Sequence, residues 1–243
     1  MKYQIVDCRW ELGKPERGRE LYLAGHVPGA SFLDVERDLS APPGGADGGR
    51  HPLPAAEDFA RAAGAAGIGL GVFVVAYDQG MTGGAARLWW LLRHFGHDDA
   101  AVLGGGLGAW LGPLRAGEEE VEAVTFAPQP REDDVVTAEQ VEASIGKPGV
   151  TIVDARVPER FRGEVEPIDP VAGHIPGALN APYDRLAEGL PPLGEDDEVI
   201  VYCGSGVTAA VDVLAFERAG VRARLYPGSW SEWSTRGLPV ERG

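Results

Sequence analysis

The residue of this sequence best placed to do chemistry is a cysteine set between a short apolar run and a helical pattern. In Val199–Ala210, VIVYCGSGVTAA, the apolar Val199, Ile200, Val201 and Tyr202 follow the acidic turn 194–198 and read as a buried parallel strand. From about Val207 a helix is expected, because Val207, Val211, Leu214 and Ala215 recur at helical spacing before Gly220. Cys203 therefore falls between the carboxyl end of a strand and the amino end of a helix, where open parallel sheets place their chemistry. Gly204 and Gly206 allow a tight loop whose N–H groups turn inward, an anion-binding concavity at the positive end of a helix dipole. A thiol held there is expected to ionise readily and act as a nucleophile. The plainer reading, a small buried cysteine packed as a hydrophobe, leaves the agreement of strand, glycine loop and helix unexplained.

The elements that must position this cysteine are bounded by size and composition. At 243 residues the chain exceeds the usual single-domain size, so two domains are expected, and 44% apolar with 24% charged residues is the composition of an ordinary globular protein. The net charge of −15 argues against nucleic acids and anionic membranes as partners. It also means that an anionic substrate must be collected by a few positioned arginines and backbone amides. MKYQIVDCRW contains no long apolar stretch and no run approaches spanning length, so neither a secretory signal nor a membrane segment is expected. Cys8 and Cys203 lie in different halves and offer neither a paired framework nor metal-ligand spacing, which suits reduced thiols in the cytoplasm.

An internal repeat organises the chain. VDCRW at 6–10 is echoed by VDARV at 153–157, AGHVPGA at 24–30 by AGHIPGA at 172–178, VVAY at 74–77 by VIVY at 199–202, and GGLGAW at 105–110 by GSWSEW at 228–233. Each half reads strand, AGH turn, helix, strand, loop, helix, strand, glycine-tryptophan turn, an α/β pattern with a mainly parallel sheet flanked by helices. The halves are related by internal duplication, with domains expected at 1–120 and 134–243 and a linker at 121–133, where prolines and acidic residues break the periodicity. Thr137 caps a helix at 138–145, and alanine-rich and tryptophan-bearing helices are expected at 55–66 and 83–95. The glycine- and proline-rich loop 39–54, ending in Arg50, His51 and Pro52, is long enough to be functional.

The halves differ where the chemistry lies. The first has Asp78 in place of Cys203, and Gly13 in place of Arg160, so only the second keeps a nucleophile with a nearby cation. His26 and His174 occur in both halves and read as turn histidines bonding backbone, and Arg9 and Arg156 likewise read as structural. Trp230 and Trp233 read as core or pocket wall, Cys8 as a small core position, and Gly104–Gly106 gives only a weak phosphate-loop signal.

These residues together resemble the rhodanese family, tandem sulfurtransferases that pair an inactive amino-terminal domain with a catalytic carboxyl-terminal one, and CGSGVTA resembles the loop of its 3-mercaptopyruvate members. The resemblance covers nearly the whole chain. It implies sulfur transfer through a Cys203 persulfide, the loop residues Gly204, Gly206, Val207 and Thr208 cradling the sulfur and Arg160 in DARVPERFRG binding the donor's anionic end. The plainer role for Arg160 is an ion pair with Glu159 or Glu164. The resemblance also implies a proton relay of Ser205, His51 and Asp38. No metal or organic cofactor is implied. Acceptors would be cyanide, small thiols or thioredoxin, and a monomer is expected.

Two features depart from the pattern. Asp169 stands where animal mercaptopyruvate enzymes carry a second substrate-binding arginine, which weakens a two-arginine clamp. The loop also lacks the cations of the CRKGVTA loop of thiosulfate enzymes, which favours 3-mercaptopyruvate over thiosulfate. A phosphatase of the same fold would need a longer loop with a terminal arginine, and Ala209 and Ala210 stand there instead. A carrier module that receives a persulfide without turnover is the non-catalytic alternative.

Overall fold

The structure is a computed structural model describing residues 2–80, 82–194 and 197–243; of the acidic turn read at 194–198, Glu195 and Asp196 fall outside it. The chain divides into two units, Met1–Ala41 with Leu53–Arg131, and Pro42–Pro52 with Glu132–Gly243. The loop Pro42–Pro52 thus belongs, by its contacts, to the second unit.

In the first unit, β1 (Lys2–Asp7), β2 (Ser31–Phe32), β3 (Val72–Tyr77) and β4 (Ala100–Val102) form a parallel sheet in the order β2-β1-β3-β4. α1 (Arg17–Ala24), α2 (Ala56–Ala65) and α3 (Gly84–His94) connect the strands. α3 buries both Trp89 and Trp90. Residues 121–131, which the sequence suggests as linker, carry no regular structure but are pinned to this unit. The Val124 amide donates to Gly64 O, the Gln129 amide to Phe95 O, and Phe126 meets Phe59 edge-on.

The second unit repeats the plan. α4 (Ala138–Ser144) begins at a capping box in which Thr137 and Gln140 satisfy each other's amides. β5 (Val150–Asp154), β6 (Leu179–Asn180), β7 (Glu198–Tyr202) and β8 (Ala223–Leu225) follow in the parallel order β6-β5-β7-β8, with α5 (Pro158–Phe161), α6 (Ala209–Arg218) and α7 (Ser229–Thr235). β7 is central and buried from Val199 to Tyr202, which is why it reads as a continuous apolar run rather than an alternating one.

Three details correct the sequence pattern. A helix precedes the AGH turn in each unit, α1 and α5. Between β6 and β7 the described residues hold only a 3-10 turn, Leu186–Glu188, because the segment is short and Pro191 and Pro192 withhold backbone donors. The glycine-tryptophan segment 228–233 opens α7, whose Trp230 and Trp233 are fully buried, whereas Trp110 in the first unit is 36% exposed.

The repeat extends to buried polar groups. Arg9 grips Asp7 in two parallel bonds, Nε to Oδ1 and Nη2 to Oδ2, and donates to Gly25 O, and Arg156 does the same with Asp154 and Gly173 O. His26 and His174 place Nδ1 at 2.8 Å from Tyr22 O and 2.7 Å from Phe161 O. These are the turn-holding histidines and structural arginines expected from their presence in both halves.

Candidate active site

Cys203 follows the last residue of β7 and is 1% exposed. Its backbone is fixed from both sides: its amide donates to Ser229 Oγ at 3.1 Å, and its carbonyl accepts the Trp230 amide at 3.0 Å. The sulfur accepts the Gly206 amide at 3.1 Å. The two glycines have different work. Gly206 adopts φ +77°, a conformation that other residues resist, and a Cβ there would lie 2.5 Å from Pro227 O. Gly204 faces two cations, a Cβ there lying 3.2 Å from Nη1 of Arg160 and 3.5 Å from Nη2 of Arg50.

The amides of Gly204, Ser205, Val207 and Thr208 have no acceptor among the described residues, while Gly204, Ser205 and Val207 are buried. Buried unpaired N–H groups are costly, and a ring of them before a helix amino end is satisfied by an anion. In the first unit the matching position is filled by a built-in anion. Asp78 accepts the Gly80 amide at 2.8 Å and the Ala85 amide at 3.3 Å, so that loop is closed by a carboxylate and holds no nucleophile.

Arg160 lies beside the loop, on α5. Its ion partners are Glu166, at 2.7 to 3.1 Å, and Asp169, at 3.0 Å, rather than Glu159 or Glu164; Glu164 pairs with Arg162. Nη1 of Arg160 has no acceptor among the described residues and is the nitrogen nearest Gly204. Arg156 closes the cluster from beneath, 4.6 Å from the Trp230 ring and 3.4 Å from Glu166.

The loop Pro42–Pro52 delivers two further groups. Nδ1 of buried His51 lies 2.7 Å from Ser205 Oγ, joining two of the three residues expected in a relay. Asp38, the third, sits in the first unit, where its carboxylate accepts the Asp34 amide at 2.8 Å and burial pushes it above the usual range. Arg50, to which the sequence alone assigned no role, reaches Asp169 with Nη1 at 2.8 Å. Two more residues were missed. Tyr183 is raised by burial and then by the charges of Asp184 and Cys203. Asp212, on the first turn of α6, is fully buried with both carboxylate oxygens unpartnered; burial, followed by the charges of Cys203 and Asp154, pushes its carboxyl well above the usual carboxylate range. Neither stands in a recognisable motif, and only the fold brings them near Cys203.

The profile of the rhodanese-like domain matches residues 1–112 and again 137–236. The chain belongs to the rhodanese family. Among its rhodanese relatives, a Pseudomonas aeruginosa protein named as a probable 3-mercaptopyruvate sulfurtransferase is 44% identical over 252 residues, 95% of this chain and 89% of its own length. SseB of Mycobacterium tuberculosis, whose name places it among thiosulfate sulfurtransferases, is 42% identical over 98% of this chain and 90% of its own length. The crystal structure of SseA from Escherichia coli, a 3-mercaptopyruvate enzyme, superposes with a TM-score of 0.79 at 35% identity, covering 94% of this chain and 92% of that one. The rhodanese chain described here is an enzyme, a sulfurtransferase built from two rhodanese-like domains.

Proposed function

We propose that this sulfurtransferase takes sulfur from 3-mercaptopyruvate onto Cys203 as a persulfide and hands it to a thiophilic acceptor. The observation that carries the reading is Cys203 Sγ, closed on by the Gly206 amide at 3.1 Å inside a loop of otherwise unpaired amides. The thiolate of Cys203 attacks the donor sulfur, the S–S bond forms as the donor's C–S bond breaks, and the electron pair leaves on carbon as the pyruvate enolate. A proton delivered to that carbon completes pyruvate. Ser205, with His51 at 2.7 Å from its hydroxyl, is the group positioned to deliver it. The persulfide, once ionised, satisfies the amides of Gly204, Ser205, Val207 and Thr208, and Arg160 holds the donor's carboxylate. An acceptor nucleophile then attacks the outer sulfur and restores the Cys203 thiolate.

Cyanide and small thiols suit a sulfur that is 1% exposed, and thioredoxin is the protein acceptor in this reading. The low cysteine usage supports a reducing cytoplasmic setting, and the acidic tandem chain is read as a monomer. Among the described residues no helix is long and apolar enough to cross a membrane.

Steady-state transfer to cyanide or dithiothreitol tests the donor. The expected result is a higher kcat/KM for 3-mercaptopyruvate than for thiosulfate, since no loop side chain offers the charge that a dianion would prefer. A preference for thiosulfate would overturn the assignment, and turnover of neither donor by a protein whose Cys203 still accepts sulfur would favour the carrier reading.

A further inference from the structure

Breaking the C–S bond of 3-mercaptopyruvate sends the charge of the enolate to its 2-oxo oxygen, and such an oxyanion is stabilised by a donor fixed where the charge develops. In the proposed reaction the loop amides serve the sulfur, Arg160 the carboxylate, and Ser205 with His51 the carbon. The 2-oxo oxygen is left without a donor. Tyr183 is anchored where one is needed. Its amide donates to Ala155 O at 3.0 Å, and the Ala155 amide donates to Tyr202 O at 2.8 Å. Asp154 and Tyr202 are in register, so Tyr183 is tied to the strand end beside the one that carries Cys203.

The duplicated unit shows which way the side chain leaves. Counted from the AGH turn, Tyr183 corresponds to Val35; counted from Cys203 and Asp78, Ala209 at the start of α6 corresponds to Gly84 at the start of α3. Val35 is fully buried, and its Cγ2 lies 3.2 Å from where a Cβ of Gly84 would sit. The same direction carries the Tyr183 ring toward the amino end of α6, over the loop that holds Cys203. Two things then differ from the first unit. Tyr183 is only partly buried, and its phenol has no hydrogen-bond partner among the described residues. Packing alone would be met by an apolar residue, as in the first unit, without the cost of placing an unpaired hydroxyl away from water. Burial, followed by the charges of Asp184 and Cys203, pushes the phenol up, so at neutral pH it offers an O–H rather than a phenolate.

We propose that Tyr183 is a catalytic residue of the donor half-reaction, its phenol donating a hydrogen bond to the 2-oxo oxygen as the enolate forms. This rests on 3-mercaptopyruvate being the donor. Cys203 Sγ forms the S–S bond, the donor's C–S bond breaks, and the electron pair spreads over the carbon and the 2-oxo oxygen. Tyr183 keeps its proton, and the proton that completes pyruvate goes to the carbon. The phenol thus acts on charge that exists only as the bond breaks, which speeds the step rather than tightening binding. Thiosulfate enters with its oxygens already negative, so the same hydrogen bond gains little on the way to sulfite.

Tyr183→Phe keeps the ring and removes the O–H. In single turnovers without acceptor, pyruvate release from 3-mercaptopyruvate is expected to slow about 10- to 100-fold relative to the loading of sulfur from thiosulfate, the loss of one hydrogen bond to a charged oxygen. Equal slowing with both donors, or no slowing with 3-mercaptopyruvate, would overturn the role. Oxalate, a planar copy of the enolate of pyruvate, gives a second readout that needs no turnover. It should protect Cys203 from iodoacetamide in the parent and bind the phenylalanine variant about tenfold less tightly, followed on the Cys203 peptide by mass spectrometry. The iodoacetamide rate without oxalate reports whether the loop is intact. If the parent takes sulfur from thiosulfate and not from 3-mercaptopyruvate, the donor assignment fails and oxalate decides Tyr183. Weaker protection in the variant would then uphold the phenol as an oxyanion donor, and equal protection, or none in either protein, would overturn it.

Discussion

At the scale of single residues, the account rests on Cys203, on the contact of His51 with Ser205, and on the buried carboxyl of Asp212. The His51–Ser205 contact is one buried hydrogen bond at 2.7 Å, and if it delivers the proton to the leaving enolate, both Ser205→Ala and His51→Gln should lower kcat. The expected loss is about 100-fold. Because the two act as one unit, the double variant should lose little more than either single one, and losses that multiply would contradict the relay. Asp212 makes a prediction of a different kind. A carboxyl pushed up by burial binds its proton more tightly in the folded state than in the unfolded one. Stability is then progressively lost as pH climbs above the unfolded value of about 3.9 toward the folded one. Asp212→Asn removes that loss, so its gain in Tm over the parent should be near zero at pH 4 and several degrees, roughly 2–4 °C per kcal/mol, at pH 7. A gain independent of pH would contradict the assignment. Cys203 and Arg160 could be read from the sequence because local motifs carry them, CGSGVTA and DARVPERFRG. The contact of Arg50 with Asp169 was not legible, because the two lie 119 residues apart in the chain.

At the scale of elements, the strands were legible because parallel strands covered on both faces are apolar throughout, as in Val199–Tyr202. α4 was legible from its cap, and Thr137→Ala should cost about 1 kcal/mol of stability, read as a lowered denaturant midpoint. α1 was not legible, since of RGRELYLA only Gly18 and Tyr22 are buried and the helix shows no apolar stripe. α7 reads as a turn because Gly228 and its serines are poor helix formers. Its stability comes from tertiary contacts, with Trp230 Nε1 donating to Val171 O and Trp233 Nε1 to Pro239 O. The loop after β7 depends on backbone geometry. Gly206→Ala must place a Cβ against Pro227 O at φ +77°, and should cost more than about 1 kcal/mol while displacing the amide that meets the sulfur. Retention of full activity in that variant would contradict the cradle.

At the scale of the whole chain, duplication supplied one sheet plan twice and left chemistry in one copy. Asp78 closes the first loop with its own carboxylate, whereas in the second loop the Gly206 amide meets the sulfur of Cys203. The tandem plan was legible from the repeats alone. The assignment of Pro42–Pro52 to the second unit was not, because nothing local marks where a glycine-rich loop will dock. That loop brings Arg50 and His51 together, so replacing 42–52 with a glycine-serine segment of equal length should spare folding and reduce kcat/KM by more than either single substitution. The most direct test is a single-turnover reaction of the protein with 3-mercaptopyruvate and no acceptor, followed by mass analysis of its peptides. The account predicts one added sulfur atom on the Cys203 peptide, none on the Cys8 peptide, one equivalent of pyruvate released, and no sulfur added in Cys203→Ser. Pyruvate formed without sulfur on Cys203, or by the serine variant at a comparable rate, would contradict it.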